Sequence, residues 1–388
     1  IGSNFLQMPF AFLEGGAVGG FVGLMIIAAV TYHCCYLVVL CKKELPKSRY
    51  ADRIARPIQQ YGDIGEIVFG NAGKYFVELL LLFTQTGFCV GYMVFIAENL
   101  TPINLAFFRY LLPAICVLPL LWVKDLSNLG SVSIVANICL IIGIVLCLTF
   151  FDLHSYQEVD LVNWAGLPIF FGVTTASYEG IGLVIPVESS MERHKQDQRY
   201  RIMLAITLVL VTLLLSTFGL TGYLTFAADT NSIITENFPD GNKKIATTIC
   251  LIIAIFFTYP MQLFPVIEIV ENYLWKYVVK QPTPTKYLDW KSNLVRTLLC
   301  FFTAAVGFLV PFFGLIAALV GALGASTLAF ILPCVLHLKV FQGKLSKPVI
   351  VKDVLILVFG SIALVIGTAM ALYNIFCALF CDVCNTCS

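Results

Sequence analysis

Glu179 stands in the run 174-TTASYEGIGLVIP-186, flanked by Ser177, Tyr178, Gly180 and Gly182 and followed by Pro186, inside an otherwise apolar stretch. A carboxylate at the middle of a bilayer costs about 2.5–3.5 kcal/mol. A group whose charge is that costly is a natural place to take up and release a proton. His33, in 28-AAVTYHCCYLV-38, is the other residue of the apolar runs with suitable protonation chemistry. Each has a plainer reading: Glu179 as a permanently neutral acid bonded to backbone, His33 as a packing histidine. Glu78 and Glu268 lie nearer the ends of their apolar runs and are expected to pair locally or to reach the interface.

The break around Glu179 has a counterpart at the start of the chain. There 1-IGSNFLQMPFAFLEGG-16 places Gly2, Ser3, Asn4, Gln7 and Pro9 within an apolar segment. Unwound backbone in lipid exposes N–H and C=O groups at several kcal/mol each, roughly, unless something polar meets them. A matched pair of Gly/Pro-interrupted spans is the mark of an inverted-repeat transporter, with the ligand held between the breaks. Half-helix N-termini favour an anion such as an α-carboxylate, and freed carbonyls accept from an α-ammonium. A small zwitterion satisfies both. The competing reading is that the glycines only let helices pack closely.

The elements that must position these residues follow from composition. Hydrophobic residues make up 59% of the 388 residues and charged residues 12%, roughly half the charged share of a soluble domain. Apolar runs fall at about 1–13, 17–41, 75–97, 105–122, 130–151, 165–187, 202–226, 245–273, 294–311, 314–338 and 353–380. These are the spans of an all-α polytopic membrane protein forming a single transmembrane domain over 1–388. Period-two alternation is missing, which excludes a β-barrel. A short surface helix is expected near 50–62, and no soluble domain. The chain opens at Ile1 already within an apolar run, with no signal peptide visible, so a preceding half-helix and cytosolic tail are expected upstream.

With that N-terminus cytosolic, every basic residue except Arg109, Lys243 and Lys244 falls on the cytosolic side, of 24 in all. The C-terminus is then outside or lumenal. The acidic loop 152–163 and the sequon Asn99-Leu100-Thr101 lie on the same outer side. A net charge of +1 suggests no nucleic-acid partner. Cysteines within spans, such as Cys116, Cys139, Cys147, Cys250 and Cys300, read as small core hydrophobes. Cys377, Cys381, Cys384 and Cys387 leave metal ligation, disulfides, lipidation and inert thiols all open. No nucleophile stands beside a base and no metal-ligand cluster is evident, which argues against an enzyme.

With these residues in hand, the chain resembles the amino acid/auxin permease family, in particular its proton-coupled amino-acid transporter branch and vacuolar relatives. Residues 1-IGSNFLQMP-9 are similar to that family's first-span I-G-T-G-x-L-x-L-P, and 84-TQTGFC-89 to its T-Q-x-G-F-C. Tyr178 to Gly182 resemble F-E-G-I-G, and 256-FFTYPMQ-262 resembles F-F-T-Y-x-L-Q. His33 falls where the branch has a second-span histidine tied to proton coupling. The resemblance implies a LeuT-like fold: a 5+5 inverted repeat over about 1–151 and 165–338, with an eleventh helix at about 353–380. It further implies that Gly2 and Ser3 meet a substrate carboxylate, with Asn4 beside them. The break from Thr175 through Ser177, Tyr178 and Gly180 to Gly182 would meet the ammonium and side chain. Gln85, Thr258 and Tyr259 would line the opposite wall. Asn4 and Gln7 replace smaller residues, which narrows selectivity toward small substrates or blocks binding. The loop at 98–104 is too short for the disulfide-bearing loop of animal members.

The function so implied is proton-coupled symport of small neutral amino acids toward the cytosol, with no cofactor and protons as coupling ion, in the plasma or a vacuolar/lysosomal membrane. The alternatives are a transporter-fold amino-acid sensor, a structural membrane subunit with a partner chain, and a sodium-coupled carrier.

Overall fold

In this computed structural model the residues described are 4–54, 57–58, 60–100, 105–123, 126–151, 158–191, 196–275 and 290–384. A 3₁₀ turn over Asn4–Gln7 leads into α1 (Met8–Gly15). Then follow α2 (Ala17–Glu44), α3 (Tyr61–Phe69), α4 (Asn71–Asn99), α5 (Ala106–Leu121) and α6 (Leu126–Leu148). Span six is split into α7 (Leu167–Ser177) and, after a 3₁₀ turn at Ile181–Leu183, α8 (Val184–Ser190). The rest comprises α9 (Gln196–Phe226), α10 (Asn242–Tyr273), α11 (Trp290–Leu309), α12 (Phe313–Leu319), α13 (Leu332–Val340) and α14 (Lys347–Cys384). Among the described residues, 8 helical segments are long and apolar enough to cross a membrane, and α5 and Ile134–Leu148 are shorter apolar helices. Every expected span is matched by a helix or a broken pair of helices.

Two groups of helices emerge. α1, α2, α7 and α9 pack on one another, while α4, α5, α6, α10 and α11 pack together on the other side. Span ten lies between them. Its α12 touches α7 and α4, and its α13 touches α2. Two π-helical stretches, Val320–Ala325 and Thr327–Ile331, connect α12 to α13. The first of them coincides with a close approach at Gly172 and Gly321: a Cβ at Gly321 would lie 1.8 Å from the Gly172 carbonyl, and one at Gly172 would lie 2.3 Å from that of Ala318. Backbone meets backbone here, and a widened turn accommodates the approach. α14 closes the outside against α7 and the π segments. Its other face presents Val351, Leu355, Ile362, Val365 and Phe376, all exposed, as lipid requires.

The joint between α1 and α2 is a single residue. Gly16 has φ +78°, and a Cβ there would lie 2.6 Å from the Leu161 carbonyl, so only glycine fits. The segment after span five returns over this joint, and the carbonyls of Asp160 and Leu161 accept from the N–H groups of Ala17, Val18 and Gly19. Those donors would otherwise be orphans at the start of α2.

Among the described residues near 50–62 the expected surface helix does not show: a 3₁₀ turn forms at Ala51–Arg53, and the α-helix begins at Tyr61, beyond Pro57. Nor is it superficial. Tyr61 is buried, and its hydroxyl donates to the Leu328 carbonyl at 3.3 Å.

Candidate functional site

The break in span six follows from its residues. α7 ends at Ser177, and the N–H groups of Tyr178 and Glu179 close it with bonds of 3.2–3.3 Å to the carbonyls of Thr174, Thr175 and Ala176. Gly180 is non-helical, and the chain resumes at Ile181. Close packing does not account for this glycine: a Cβ on Gly180 would meet nothing within 4 Å, and one on Gly182 only the Leu81 side chain at 3.5 Å. The close-packing role belongs to Gly172, two turns earlier.

Two polar chains converge on the break. Gln262 of α10 donates through Nε2 to Gln85 Oε1 on α4, and Gln85 Nε2 donates to Glu179 Oε2 at 3.4 Å. From the first span, Asn4 Nδ2 donates to the Ala176 carbonyl at 3.0 Å. Gln7 Nε2 donates to the Phe313 carbonyl at 3.3 Å, at the start of α12. Among the described residues, Glu179 Oε1, Thr175 Oγ1 and Gln7 Oε1 are buried without a hydrogen-bond partner. Buried acceptors left this way cost roughly 1–3 kcal/mol each. The break thus joins the bundle of α1 and α7 to the opposite group through α4 and α10, and it holds unused hydrogen-bonding capacity.

Other expected site residues spend their polar atoms elsewhere. Ser177 Oγ donates to Val173 O at 2.9 Å and Thr258 Oγ1 to Ala254 O at 2.7 Å, both along their own helices. Hydroxyls in membrane helices commonly satisfy themselves in this way. The Tyr178 hydroxyl pairs with Thr212 of α9 at 2.7 Å. Tyr259 is buried with its hydroxyl on Thr303 of α11, also at 2.7 Å, so it turns away from the break. Gly2 and Ser3 lie outside the described residues. So does Thr101 of the sequon, while Asn99 bonds Phe95 O and Thr235 Oγ1. Cys377 is a free thiol, and the side chains of Cys381, Cys384 and Cys387 are outside the described set.

His33 does not join Glu179. His33 Nε2 lies 3.6 Å from Asp353 Oδ1 on α14, whereas Glu179 accepts from Gln85 on α4. Glu78 accepts from the Tyr273 hydroxyl of α10 and Glu268 from Gln60 Nε2, so each is bonded across the fold rather than to a neighbour in sequence. Sequence reasoning missed Gln262, although it closes the quoted 256-FFTYPMQ-262, and it missed Asp353 and His337. It also missed Glu188, which is buried and bonded by Lys42 at 2.5 Å.

This geometry can be set beside known proteins. The amino acid transporter AVT3B of Arabidopsis thaliana is 31% identical, over 97% of this chain and 91% of that one. The proton-coupled amino acid transporter-like protein pathetic of Drosophila melanogaster is 30% identical, over 97% of this chain and 82% of its own. In fold, the chain is similar to a manganese transporter of Eremococcus coleocola, with a TM-score of 0.52 at 10% identity, covering 96% of this chain and 87% of that one. That likeness is one of architecture alone, and it agrees with the LeuT-like fold expected from the sequence. Residues 1–373 match the family model described as transmembrane amino acid transporter protein. The chain is a multi-pass membrane protein of that family, the amino acid/auxin permeases.

Proposed function

We propose that the chain is a secondary transporter that carries small neutral amino acids together with protons toward the cytosol by alternating access. The observation that carries this reading is the break at 178–180. It places Glu179, with one carboxylate oxygen unpartnered, beside the Gln85–Gln262 pair and the open space at Gly180. An α-ammonium supplies the donors that Glu179 Oε1 and Thr175 Oγ1 lack, and a small side chain suits a site narrowed by Asn4. Proton coupling is supported by the carboxylate itself, and the name of the Drosophila relative agrees with it. Inward direction is the reading that the driving force favours: a membrane potential, negative on the cytosolic side, drives a cotransported charge with about 2.3 kcal/mol per 100 mV. The two helix groups are natural halves for rocking about this site, span ten being the element between them.

Uptake into proteoliposomes, across a panel of amino acids with and without an acid-outside gradient, tests the proposal. Glu179→Gln is expected to remove the stimulation by acid while leaving a folded protein. Acid-stimulated uptake surviving intact in that variant removes Glu179 from the mechanism, and stimulation by sodium in its place makes the carrier sodium-coupled. A second reading, a closed sensor or structural subunit, is favoured by the Asn4 and Gln7 bonds that tie the first span shut. A sensor gains thermal stability with an amino acid yet moves none; a structural subunit gains none.

A further inference from the structure

Cys34 of α2 and Cys334 of α13 are both fully buried, and each is a free thiol. Their side chains are in hydrogen-bond contact with one another. Two further contacts fix the same register. His33, next to Cys34, and His337, one turn on from Cys334, both reach Asp353 of α14, at 3.6 and 2.6 Å. α2 and α13 therefore pack side by side at the level of the two thiols.

A single buried cysteine is ordinarily a small core hydrophobe. Two thiols in contact on different helices have a further chemistry. A disulfide needs its two Cβ atoms to face one another at close range, and helices in direct contact supply that geometry. The bond would join span two to span ten. The stretch that carries Cys334 is weakly held along its own axis. The π-helical turns of Thr327–Ile331 end just before α13, and Pro333, beside Cys334, has no N–H to donate. Breathing of this stretch admits an oxidant as small as hydrogen peroxide.

We propose that Cys34 and Cys334 are a reversible oxidation site, at which a peroxide makes a disulfide that fastens α2 to α13 and stops the alternation of the two helix groups. One sulfur attacks the peroxide, the O–O bond breaks, and a sulfenic acid and one water result. The second sulfur then displaces the hydroxyl from the first, the S–S bond forms and a second water leaves. The two thiols give up two electrons and two protons, and the peroxide takes both. A dithiol reverses the bond by exchange. The competing partners on α2 are Cys35, next in sequence, and Cys41, two turns further on. The bond needs only the contact between the thiols, whereas its effect on turnover rests on the transport reading above.

The test is disulfide mapping of the whole protein in lipid after exposure to hydrogen peroxide, with remaining thiols blocked by a maleimide in denaturant and the digest read by mass spectrometry. A peptide pair linking Cys34 to Cys334 is expected, and dithiothreitol should abolish it. Recovery of both as blocked thiols, or of Cys34 joined to another cysteine, overturns the site. This map uses the unaltered protein, so it stands whether or not a variant folds. Uptake into proteoliposomes is measured on the same samples. It should fall about tenfold or more on oxidation, since a fastened element cannot open and close, and return with dithiothreitol. Cys334→Ser, or Cys34→Ala should the first fail to fold, is expected to be indifferent to peroxide. Uptake that continues in cross-linked protein overturns the fastening role. If the reduced, unaltered protein moves no amino acid, the transport reading falls, and the map alone decides the disulfide.

Discussion

Asn4 Nδ2 donates to the carbonyl of Ala176 across 3.0 Å, so the entry of the first span is tied to the last turn of α7. That carbonyl also accepts from Glu179 N–H at 3.3 Å and is thus shared by both ends of the site. The family resemblance places glycine at position 4, where no side chain could reach it. Asn4→Gly is accordingly expected to free the Ala176 carbonyl and widen the site. Competition against uptake of a small amino acid should then show larger neutral amino acids becoming effective inhibitors, with unaltered thermal stability to within about 1 kcal/mol, the worth of one hydrogen bond. Unchanged selectivity would remove Asn4 from the substrate site.

Two glycines of span six should respond oppositely to substitution. Gly180 has an extended backbone, φ 173°, and room around its Cβ position. Gly180→Ala is therefore expected to change stability by no more than about 0.5 kcal/mol, and Gly180→Leu to remain folded while losing uptake. Gly172→Ala forces a Cβ to 2.3 Å from the Ala318 carbonyl, a backbone atom that cannot swing aside. It should destabilise by about 1–3 kcal/mol, as overpacking does. Thermal unfolding beside reconstituted uptake separates the two effects.

How far the sequence announced this arrangement can be seen at these same residues. Hydropathy located every span, and the cluster Tyr178-Glu179-Gly180 marked where span six would part, because an acid and a glycine in lipid need a polar purpose. Patterns along one chain cannot tell which face of a helix a hydroxyl will use. Thr258 and Ser177 looked available from sequence, yet both bond their own helices. Nor can local patterns pair residues brought together by tertiary packing alone. Asp353, Glu188 and Gln262 are ordinary polar residues until α14, α8 and α10 are placed against their neighbours. His33 was legible as chemistry, but its partner was not.

Glu188 illustrates a polar contact that fastens rather than reacts. Its Oε2 accepts from Lys42 Nζ at 2.5 Å, Lys43 Nζ stands 3.7 Å from Oε1, and Lys42 also reaches Ser189 Oγ at 2.6 Å. These contacts hold the short α8 onto α2, and the carboxylate is only 2% exposed. Glu188→Gln keeps the shape while removing the charge that faces two ammonium groups. The expected loss is about 1.5–3 kcal/mol, the worth of a hydrogen bond to a charged group. Thermal unfolding in detergent measures it, and a melting point equal to that of the unaltered protein would show the contact to be idle.

Gln262 should matter to transport although it does not itself contact Glu179. Its Nε2 donates to Gln85 Oε1 and thereby fixes which end of the Gln85 amide points at Glu179. Without that donor the amide can turn over, presenting an oxygen to a carboxylate. Gln262→Ala is expected to raise KM for the amino acid with a smaller effect on stability, and Gln85→Ala to raise it further. Because Gln262 acts through Gln85, the two substitutions together should cost less than the sum of the two separately, with a coupling of about 0.5–3 kcal/mol. A double-mutant cycle on reconstituted uptake reads that coupling directly. Strict additivity would mean that Gln262 lines the site independently, and the orienting role assigned to it from the bond to Gln85 would be lost.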